Sequence, residues 1–233
     1  MLTLTPHDLA PPANATDHVA GQCFAPCPHA LGLYAVLPTA EWVGRMARAG
    51  VPTVQLRFKS TDRQAIAREV RAAVQAVQGT SSRLFINDYW QLALEAGAYG
   101  AHLGQEDLDT LSDAEVALLR QSGLRLGLST HTDAEVVRAA ALRPSYIALG
   151  AVFPTTLKAM PTAPLGLERL AAYAQLLQGY STVAIGGIGP EHLPSIAATG
   201  VGSFAVVRAI VAAPNPQAAA QHLMDAWRAQ TTD

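Results

Sequence analysis

The feature that most constrains this sequence is a regular alternation beginning at Leu31. From there to the C-terminus, short apolar segments alternate about eight times with alanine-rich amphipathic segments. Strands that alternate with helices pair in parallel and are joined by right-handed crossovers. Because eight such units close naturally into a barrel, the sequence predicts a single α/β domain, a (β/α)8 TIM barrel, over residues 31–230.

Apolar runs, helix caps and glycines set the predicted boundaries. The predicted strands are Leu31–Leu37, Thr53–Phe58, Leu84–Ile86, Ala101–Leu103, Arg125–Leu128, Tyr146–Leu149, Thr182–Ile185 and Ser203–Val207. The predicted helices are Glu41–Ala49, Arg63–Val77, Trp90–Ala96, Asp113–Gln121, Asp133–Ala141, Leu167–Leu177, Glu191–Ala198 and Gln217–Ala229. The predicted N-caps are Thr39, Thr61 or Asp62, Ser112 and Thr132. An open doubly wound sheet is the alternative, but no Gly-x-Gly-x-x-Gly fingerprint follows the first strand.

Charge and hydropathy exclude several classes of protein. Sixteen basic and eighteen acidic side chains give a net charge of −2, whereas nucleic-acid-binding proteins usually carry a basic surplus. No apolar run reaches the roughly eighteen residues of a membrane span, and the N-terminus lacks the pattern of a signal peptide. We therefore expect a cytoplasmic protein that acts on small molecules, with neither nucleic acid nor membrane as partner. The sequence leaves a homo-oligomer open.

Residues 1–30 are rich in proline, alanine and polar residues and have no clear period. This pattern predicts a loosely ordered N-terminal extension, and removing residues 1–28 should leave activity largely unchanged. Cys23 and Cys27, with His29 nearby, are weak candidates for a metal site, because structural zinc sites usually have four ligands. Two reduced thiols are the favoured interpretation.

The second predicted strand carries polar residues at alternate positions. Gln55, Arg57 and Lys59 alternate with apolar residues, so their side chains share one face. Because helices cover the outside of the strands in a barrel, we expect this face to point into the barrel mouth. Two cations there indicate an anion, and pyrophosphate suits the fork of an arginine and the point charge of a lysine.

Two acidic residues follow the next two predicted strands. Asp88 follows the third strand and Asp107 follows the fourth. Each has an ordinary explanation, since Asp88 is placed to cap the next helix and Asp107 is placed as a loop acid. Together, and near Arg57 and Lys59, they are the hard oxygen ligands that Mg²⁺ uses beside a bound phosphate. The sequence therefore predicts Mg²⁺ as cofactor, held by Asp88 and Asp107.

Further polar groups follow strands five to eight. Ser129 is interpreted as a hydrogen-bond donor to phosphate, because no Gly-x-Ser-x-Gly elbow marks it as a nucleophile; His131 is either a direct or a supporting residue. The hydroxyl-rich loop at residues 150–158 is long enough for a partial lid. Glycines after the seventh strand and Arg208 after the eighth predict a second phosphate pocket. Two phosphorylated substrates are therefore expected.

The chain resembles the thiamine phosphate synthase family in seven segments that follow the family's order. They are VQLRFK, FINDYWQLAL, GAHLGQEDL, LGLSTHT, RPSYIALGAVFPTTLK, VAIGGI and GVGSFAVVRAI, from about Leu31 to Ile210. No single motif is decisive, but the ordered set is highly specific. The resemblance implies a Mg²⁺-dependent transferase on a barrel. An enzyme of this family is expected to join a pyrimidine pyrophosphate, through a stabilised carbocation, to a thiazole phosphate or its carboxylated form, and to release pyrophosphate.

The resemblance also implies roles for individual residues. The pyrimidine pyrophosphate is held by Gln55, Arg57, Lys59, Asn87, Ser129 and Lys158, and Mg²⁺ by Asp88 and Asp107. The thiazole phosphate contacts Thr155, Thr156, Leu157, Gly187, Val207 and Arg208. The implied catalytic residues are Arg57, Lys59, Ser129 and Lys158. A thiazole tautomerase-like isomerase that uses His131, or a non-catalytic barrel that binds thiamine phosphates, is the alternative; the complete set of cations and acids favours the synthase.

Two positions depart from the family pattern. The family loop commonly reads Thr-x-Thr-Lys, whereas this chain has Thr155-Thr156-Leu157-Lys158, so one hydroxyl contact is lost. Many members have serine where this chain has Arg208. Both departures concern the thiazole pocket and leave the implied reaction unchanged.

Restoring the family hydroxyl with Leu157→Thr should lower KM for the thiazole phosphate more than it alters kcat. The added contact is made equally in the ground and transition states, so it changes binding without accelerating the chemical step. One net hydrogen bond is worth about 0.5–1.5 kcal/mol, so KM should fall roughly three- to tenfold. Steady-state kinetics check this, with the pyrimidine KM as internal control. An unchanged thiazole KM would show that Thr156 already supplies the contact.

Overall fold

The structure, a computed structural model, describes residues 23–155 and 163–231. Eight parallel strands close into a barrel in which each strand pairs with its neighbours in chain order. The strands are β1 (Gly32–Leu37), β2 (Thr53–Leu56), β3 (Arg83–Asn87), β4 (Gly100–Leu103), β5 (Arg125–Thr130), β6 (Tyr146–Gly150), β7 (Thr182–Ile185) and β8 (Ser203–Val206). This architecture confirms the predicted (β/α)8 barrel.

Helices connect the strands. They are α1 (Ala40–Arg48), α2 (Arg63–Ala76), α3 (Trp90–Ala96), α4 (Gln105–Asp109), α5 (Asp113–Gln121), α6 (Asp133–Leu142), α7 (Gly166–Leu176), α8 (Leu193–Ala197), α9 (Arg208–Val211) and α10 (Pro216–Thr231). At the predicted N-caps Thr39, Asp62, Ser112 and Thr132, each side chain accepts a hydrogen bond from a backbone N–H in the first turn. The unpredicted helices α4 and α9 have five and four residues, too few to show a helical period.

The predicted boundaries lie within two residues of the observed ones, and two of the differences change the interpretation. β2 stops at Leu56, so its predicted extension to Phe58 is wrong, and Arg57 follows the strand with its N–H donating to the Leu37 carbonyl at 2.8 Å. The predicted helix over residues 191–198 is split into a 3-10 turn, Pro190–His192, and α8. Pro194 lies at the start of α8, and its missing N–H interrupts the hydrogen-bond ladder there.

Alternate strand residues supply two separate apolar cores. The larger core lies between the sheet and the helices and takes residues such as Leu56, Leu103 and Leu128 from the strands. The smaller core fills the barrel interior and consists of Leu31, Tyr34, Val36, Phe85, Tyr146, Ala148, Val183 and Ala205. Because side chains alternate along a strand, each strand's inward positions are fixed once one outward residue is known.

Three aromatic rings pack against one another in the interior core. Tyr146 lies edge-on to Phe85, with ring centroids 5.1 Å apart, and to Tyr34 at 5.7 Å. Space for them comes from glycines on neighbouring strands. A Cβ at Gly127 would overlap the Tyr146 ring, and one at Gly100 would overlap the Phe85 ring.

Residues 23–30 lie against the N-terminal end of the barrel. Phe24 is buried, and carbonyl groups of this segment accept hydrogen bonds from Arg125 Nε at 2.9 Å, Ser145 Oγ at 2.6 Å and Ser181 Oγ at 2.9 Å. Burial raises the pKa of the Cys27 thiol to about 11. The predicted loose extension over residues 1–30 therefore does not describe residues 23–30, while residues 1–22 lie outside the described residues.

Within the described residues, no helix combines the length and hydropathy needed to cross a membrane.

The contacts of residues 23–30 change the expectation for truncation. Deleting residues 1–30 should lower Tm by on the order of 10 °C, because loss of a buried phenylalanine alone costs about 3–5 kcal/mol. Deletion of residues 1–22 is the matched control, since it keeps Phe24 and the three hydrogen-bonded carbonyls. Thermal unfolding followed by circular dichroism measures both variants. Equal Tm values would show that the segment contributes nothing to stability.

Gly127→Ala should destabilise the barrel by about 1–3 kcal/mol or more, since the new methyl group overpacks the interior against Tyr146. Urea unfolding measures the loss. Adding Tyr146→Leu to the same chain should cost less than the sum of the two single changes, because the smaller side chain leaves room for the methyl group. Additive losses would contradict the overlap as the cause.

Candidate active site

Four polar side chains lie at inward positions near the C-terminal ends of β2 to β5. They are Gln55, Asn87, His102 and Ser129, and their outward neighbours belong to the larger core. Asn87 lies opposite His102 in the register of β3 and β4. Gln55, Asn87 and Ser129 were predicted as substrate-binding residues; His102 was not.

A chain of hydrogen bonds crosses the barrel interior from Gln55 to Ser129. The Gln55 amide nitrogen donates to the Tyr34 hydroxyl at 3.0 Å, and that hydroxyl lies 2.7 Å from the Tyr146 hydroxyl. The Tyr146 hydroxyl lies 2.6 Å from His102 Nδ1, and His102 Nε2 lies 2.7 Å from Ser129 Oγ. All members except Ser129 are buried.

His102 is the titratable member nearest the mouth. Burial lowers its pKa to about 4; the nearby Arg57 charge lowers it further, and Asp88 opposes both. At neutral pH the ring is therefore uncharged. One ring nitrogen donates a hydrogen bond and the other accepts one.

Asp88 faces Lys59 rather than the next helix. Its carboxylate forms an ion pair with the Lys59 ammonium. The alternative role as a helix cap is wrong, because Tyr89 occupies the N-cap position of α3 and no side chain caps that end. The Asp88 backbone has a φ of 65°, a left-handed conformation that aspartate and asparagine tolerate better than most residues.

Asp107 stands beside Asp88 at the start of α4. Its carboxylate accepts a hydrogen bond from the Gly104 N–H at 2.8 Å. Burial raises the pKa of Asp107, and the Asp88 carboxylate raises it further, whereas the Gly104 hydrogen bond and Lys59 lower it. The two carboxylates are therefore close enough to interact, as expected from their positions after neighbouring strands.

This donor set fits Mg²⁺ and not a closed metal cage. In the part of the chain that the structure describes, no three His, Cys, Asp or Glu side chains are grouped to hold a metal ion. Mg²⁺ usually takes one or two carboxylates and completes its octahedron with water and substrate phosphates. Asp88 and Asp107 would serve as such a pair, and the Lys59 ammonium beside them would attract an anionic substrate.

Arg57 is the second cation of this region. Its side chain is exposed just beyond β2, and its positive charge contributes to lowering the pKa of His102. Among residues 23–155 and 163–231, no hydrogen bond or ion pair engages its guanidinium group. Arg57 and Lys59 thus lie in the loop after β2, rather than on the strand face that the sequence predicted.

His131 joins β5 to β6. Its Nδ1 lies 2.5 Å from the Gly150 carbonyl oxygen, to which it donates, and its backbone N–H donates to Glu135 Oε2 at 2.6 Å. The ring therefore carries its proton on Nδ1 when neutral and leaves Nε2 as an acceptor. This geometry gives His131 a supporting role between two strands.

The glycines after β7 make room for the loop after β6. A Cβ at Gly187 would come within 2.6 Å of the Pro154 carbonyl oxygen, and one at Gly186 would overlap Ala151. The Phe153 N–H donates to the Gly186 carbonyl at 3.0 Å. Phe153 also stacks on His192, with ring centroids 4.0 Å apart. The sequence assigned these glycines to anion binding; close approach of two loops is a further reason for them.

The remaining predicted residues lie around the ends of β6 and β8. Val207 and Arg208 lie at the start of α9, and the Arg208 side chain is exposed. Thr155 ends the described part of the loop after β6. The predicted contacts of Thr156, Leu157 and Lys158 fall outside the described residues.

Sequence reasoning missed the middle of the hydrogen-bond chain. His102 was within reach, because it lies between Ala101 and Leu103, and the alternation that placed Gln55 inward also places a polar side chain here. Tyr34 and Tyr146 gave no such signal, since tyrosine on a buried strand is common in ordinary cores.

Comparison with known proteins agrees with this geometry. The sequence matches the model of the family described as thiamine monophosphate synthase over residues 33–210. A thiamine-phosphate synthase of Neisseria meningitidis serogroup B is 52% identical over 204 residues, which cover 88% of this chain and 98% of that protein. One from Cronobacter sakazakii is 54% identical over 202 residues, covering 87% and 95%.

A solved structure gives the same result. The thiamine phosphate pyrophosphorylase from Pyrococcus furiosus superposes with a TM-score of 0.76 at 26% identity, covering 87% of this chain and 98% of that one. The family model matches residues 33–210, and relatives of similar length share 52% and 54% of their aligned residues with this chain. The chain therefore belongs to the thiamine monophosphate synthase family.

Proposed function

We propose that this protein makes thiamine phosphate. It joins an aminopyrimidine that carries a diphosphooxymethyl group to a methylthiazole that carries a phosphooxyethyl group, or to the carboxylated thiazole, and releases pyrophosphate. The observation that carries the proposal is a neutral polar pocket beside a charged one. Gln55, Asn87 and Ser129 lie inside the barrel, and Arg57 and the Lys59–Asp88–Asp107 cluster lie at its mouth.

The inner pocket suits the uncharged pyrimidine ring. Asn87 is 8% exposed and lies at the C-terminal end of β3, at an inward position. Its amide can both donate and accept a hydrogen bond, as a polar heterocycle requires. Gln55, which is buried, and Ser129, which is partly exposed, add further hydrogen-bonding groups.

The charged cluster suits the pyrophosphate. Arg57, Lys59 and, from the loop after β6, Lys158 would bind its oxygens, and Asp88 with Asp107 would hold Mg²⁺. When bound, Mg²⁺ neutralises charge that develops on the leaving pyrophosphate. The Lys59 ammonium forms an ion pair with the Asp88 carboxylate in this structure. A bound pyrophosphate would give this ammonium group a second anionic partner.

The thiazole phosphate would bind across the barrel mouth. Gly187 would contact it from the loop after β7, and Val207 and Arg208 from the start of α9. Thr155, Thr156 and Leu157 are the further residues proposed to bind it. The packing of Phe153 and Pro154 on Gly187 brings the loops after β6 and β7 together. Arg208, exposed at this rim, adds a positive charge near the phosphate.

The reaction needs no protein nucleophile. The amino group of the pyrimidine donates electrons into its ring, so the bond to pyrophosphate breaks with its electron pair leaving on oxygen. The resulting benzylic-type carbocation is captured by the thiazole nitrogen lone pair. The protein's contribution is to hold the two rings in line and to stabilise the departing anion through Arg57, Lys59, Lys158 and Ser129.

The isomerase alternative would use His131 as an acid or base. Its free Nε2 is compatible with that role, but the Lys59–Asp88–Asp107 cluster has no function in a tautomerisation. A non-catalytic binding barrel likewise has no need of the cluster. A steady-state assay with both phosphorylated substrates, with and without Mg²⁺, separates the three: only the synthase releases pyrophosphate.

Asp88→Asn and Asp107→Asn should each lower Mg²⁺-dependent turnover by roughly a hundredfold or more, because each removes a ligand that helps neutralise the leaving group. Asparagine is chosen because it tolerates the left-handed backbone of Asp88 and can still accept from Gly104. Glu106→Gln, an exposed neighbour of Asp107, is the matched control. Pyrophosphate release is measured on metal-depleted protein with Mg²⁺ added back. Near-wild-type rates in both variants would contradict the proposed metal site.

A further inference from the structure

The hydrogen-bond chain inside the barrel can run in two directions. The Gln55 amide nitrogen donates to the Tyr34 hydroxyl at 3.0 Å, whereas either hydroxyl of the Tyr34–Tyr146 pair can be the donor. The roles of the two His102 ring nitrogens, toward Tyr146 and toward Ser129, depend on the tautomer. In the direction that gives both tyrosine hydrogens an acceptor within the chain, Tyr34 donates to Tyr146 and Tyr146 donates to His102 Nδ1. His102 then carries its proton on Nε2 and donates to Ser129 Oγ.

We infer that Tyr34, Tyr146 and His102 are positioning residues that fix the hydrogen-bonding direction of Gln55 and Ser129. With the chain running this way, the Gln55 carbonyl oxygen is left as an acceptor. The Ser129 oxygen already accepts from His102, so its own hydrogen is left as a donor. The chain therefore presents one acceptor and one donor at its two ends.

These two groups suit an aminopyrimidine, because the amino group of such a ring donates a hydrogen bond and its ring nitrogens accept one. The inference rests on the proposed function and deepens it, because it names what selects the pyrimidine. A ring that presents two acceptors or two donors would leave Gln55 or Ser129 unpaired, which is costly in a buried pocket.

The packing keeps the chain from rearranging. Tyr34 is 2% exposed and Tyr146 is fully buried, so water does not compete for their hydroxyls. The Tyr146 ring stacks on His102 with centroids 5.7 Å apart and meets Phe85 edge-on. The Tyr146 ring packs against the backbone of Gly127, where a Cβ would overlap the ring. The hydroxyls are thus held at fixed points across the barrel.

Tyr146→Phe tests the inference, because it removes one hydroxyl and keeps the ring. We expect the pyrimidine KM to rise about three- to tenfold, the loss of one well-placed hydrogen bond, with little change in kcat or in the thiazole KM. Tyr180→Phe is the matched control, since its buried hydroxyl donates to the Ala140 carbonyl at 3.0 Å far from the chain. Equal pyrimidine KM values in the two variants would overturn the inference.

A double-mutant cycle identifies the route of the effect. In a Ser129→Ala background, Tyr146→Phe should raise the pyrimidine KM by a smaller factor than it does in the wild type. Full multiplication of the two factors would overturn the relay, since it would mean that Tyr146 acts independently of Ser129. Failure of the wild-type protein to release pyrophosphate would instead overturn the proposed function, so the two failures are distinct.

The direction of the chain has its own readout. Long-range ¹⁵N NMR of the wild-type protein distinguishes protonated from unprotonated ring nitrogens, and we expect the proton of His102 on Nε2. In Tyr146→Phe, loss of the donor to Nδ1 should shift that nitrogen's resonance. A proton on Nδ1 in the wild type would overturn the assigned direction.

Discussion

Closure of the barrel is the constraint on which the site depends. Eight strands enclose an interior that is just wide enough for side chains to fill, and here Tyr34, Phe85 and Tyr146 are its aromatic members. The interior accepts these rings because the positions beside them are glycines. The rings fill the space below Gln55, Asn87 and His102. These polar side chains therefore lie toward the C-terminal ends of the strands, where a substrate would enter.

The same geometry separates neutral from charged groups. Gln55, Asn87 and His102 lie on the strands and are buried, and burial disfavours a charge there, as the lowered pKa of His102 shows. Arg57 and Lys59 lie beyond the end of β2, where water still solvates them. A charged face along β2 itself would have carried the full cost of desolvation. The early end of the strand therefore gives both cations without that cost.

Strand alternation explains what could be predicted. The inward position of Gln55 and the meeting of Asp88 with Asp107 both follow from parallel strands whose carboxyl ends share one rim. The Tyr34–Tyr146 contact did not follow, because those residues are 112 positions apart in sequence and meet only through the register of the closed sheet. The sequence assigned Gly186 and Gly187 to anion binding but gave no sign that they make space for Ala151 and Pro154.

Neutral and charged groups meet at the backbone between Asp88 and His102. The Asp88 N–H donates to the His102 carbonyl at 2.9 Å, so the residue that pairs with Lys59 is attached to the strand that carries the interior hydrogen-bond chain. The two halves of one substrate, a ring and its pyrophosphate, must be held in a fixed relation for the connecting bond to break in line with the incoming nitrogen. This backbone hydrogen bond, together with the peptide bond between Asn87 and Asp88 and the pairing of β3 with β4, links the two sets of groups. It does so without placing a charge inside the barrel.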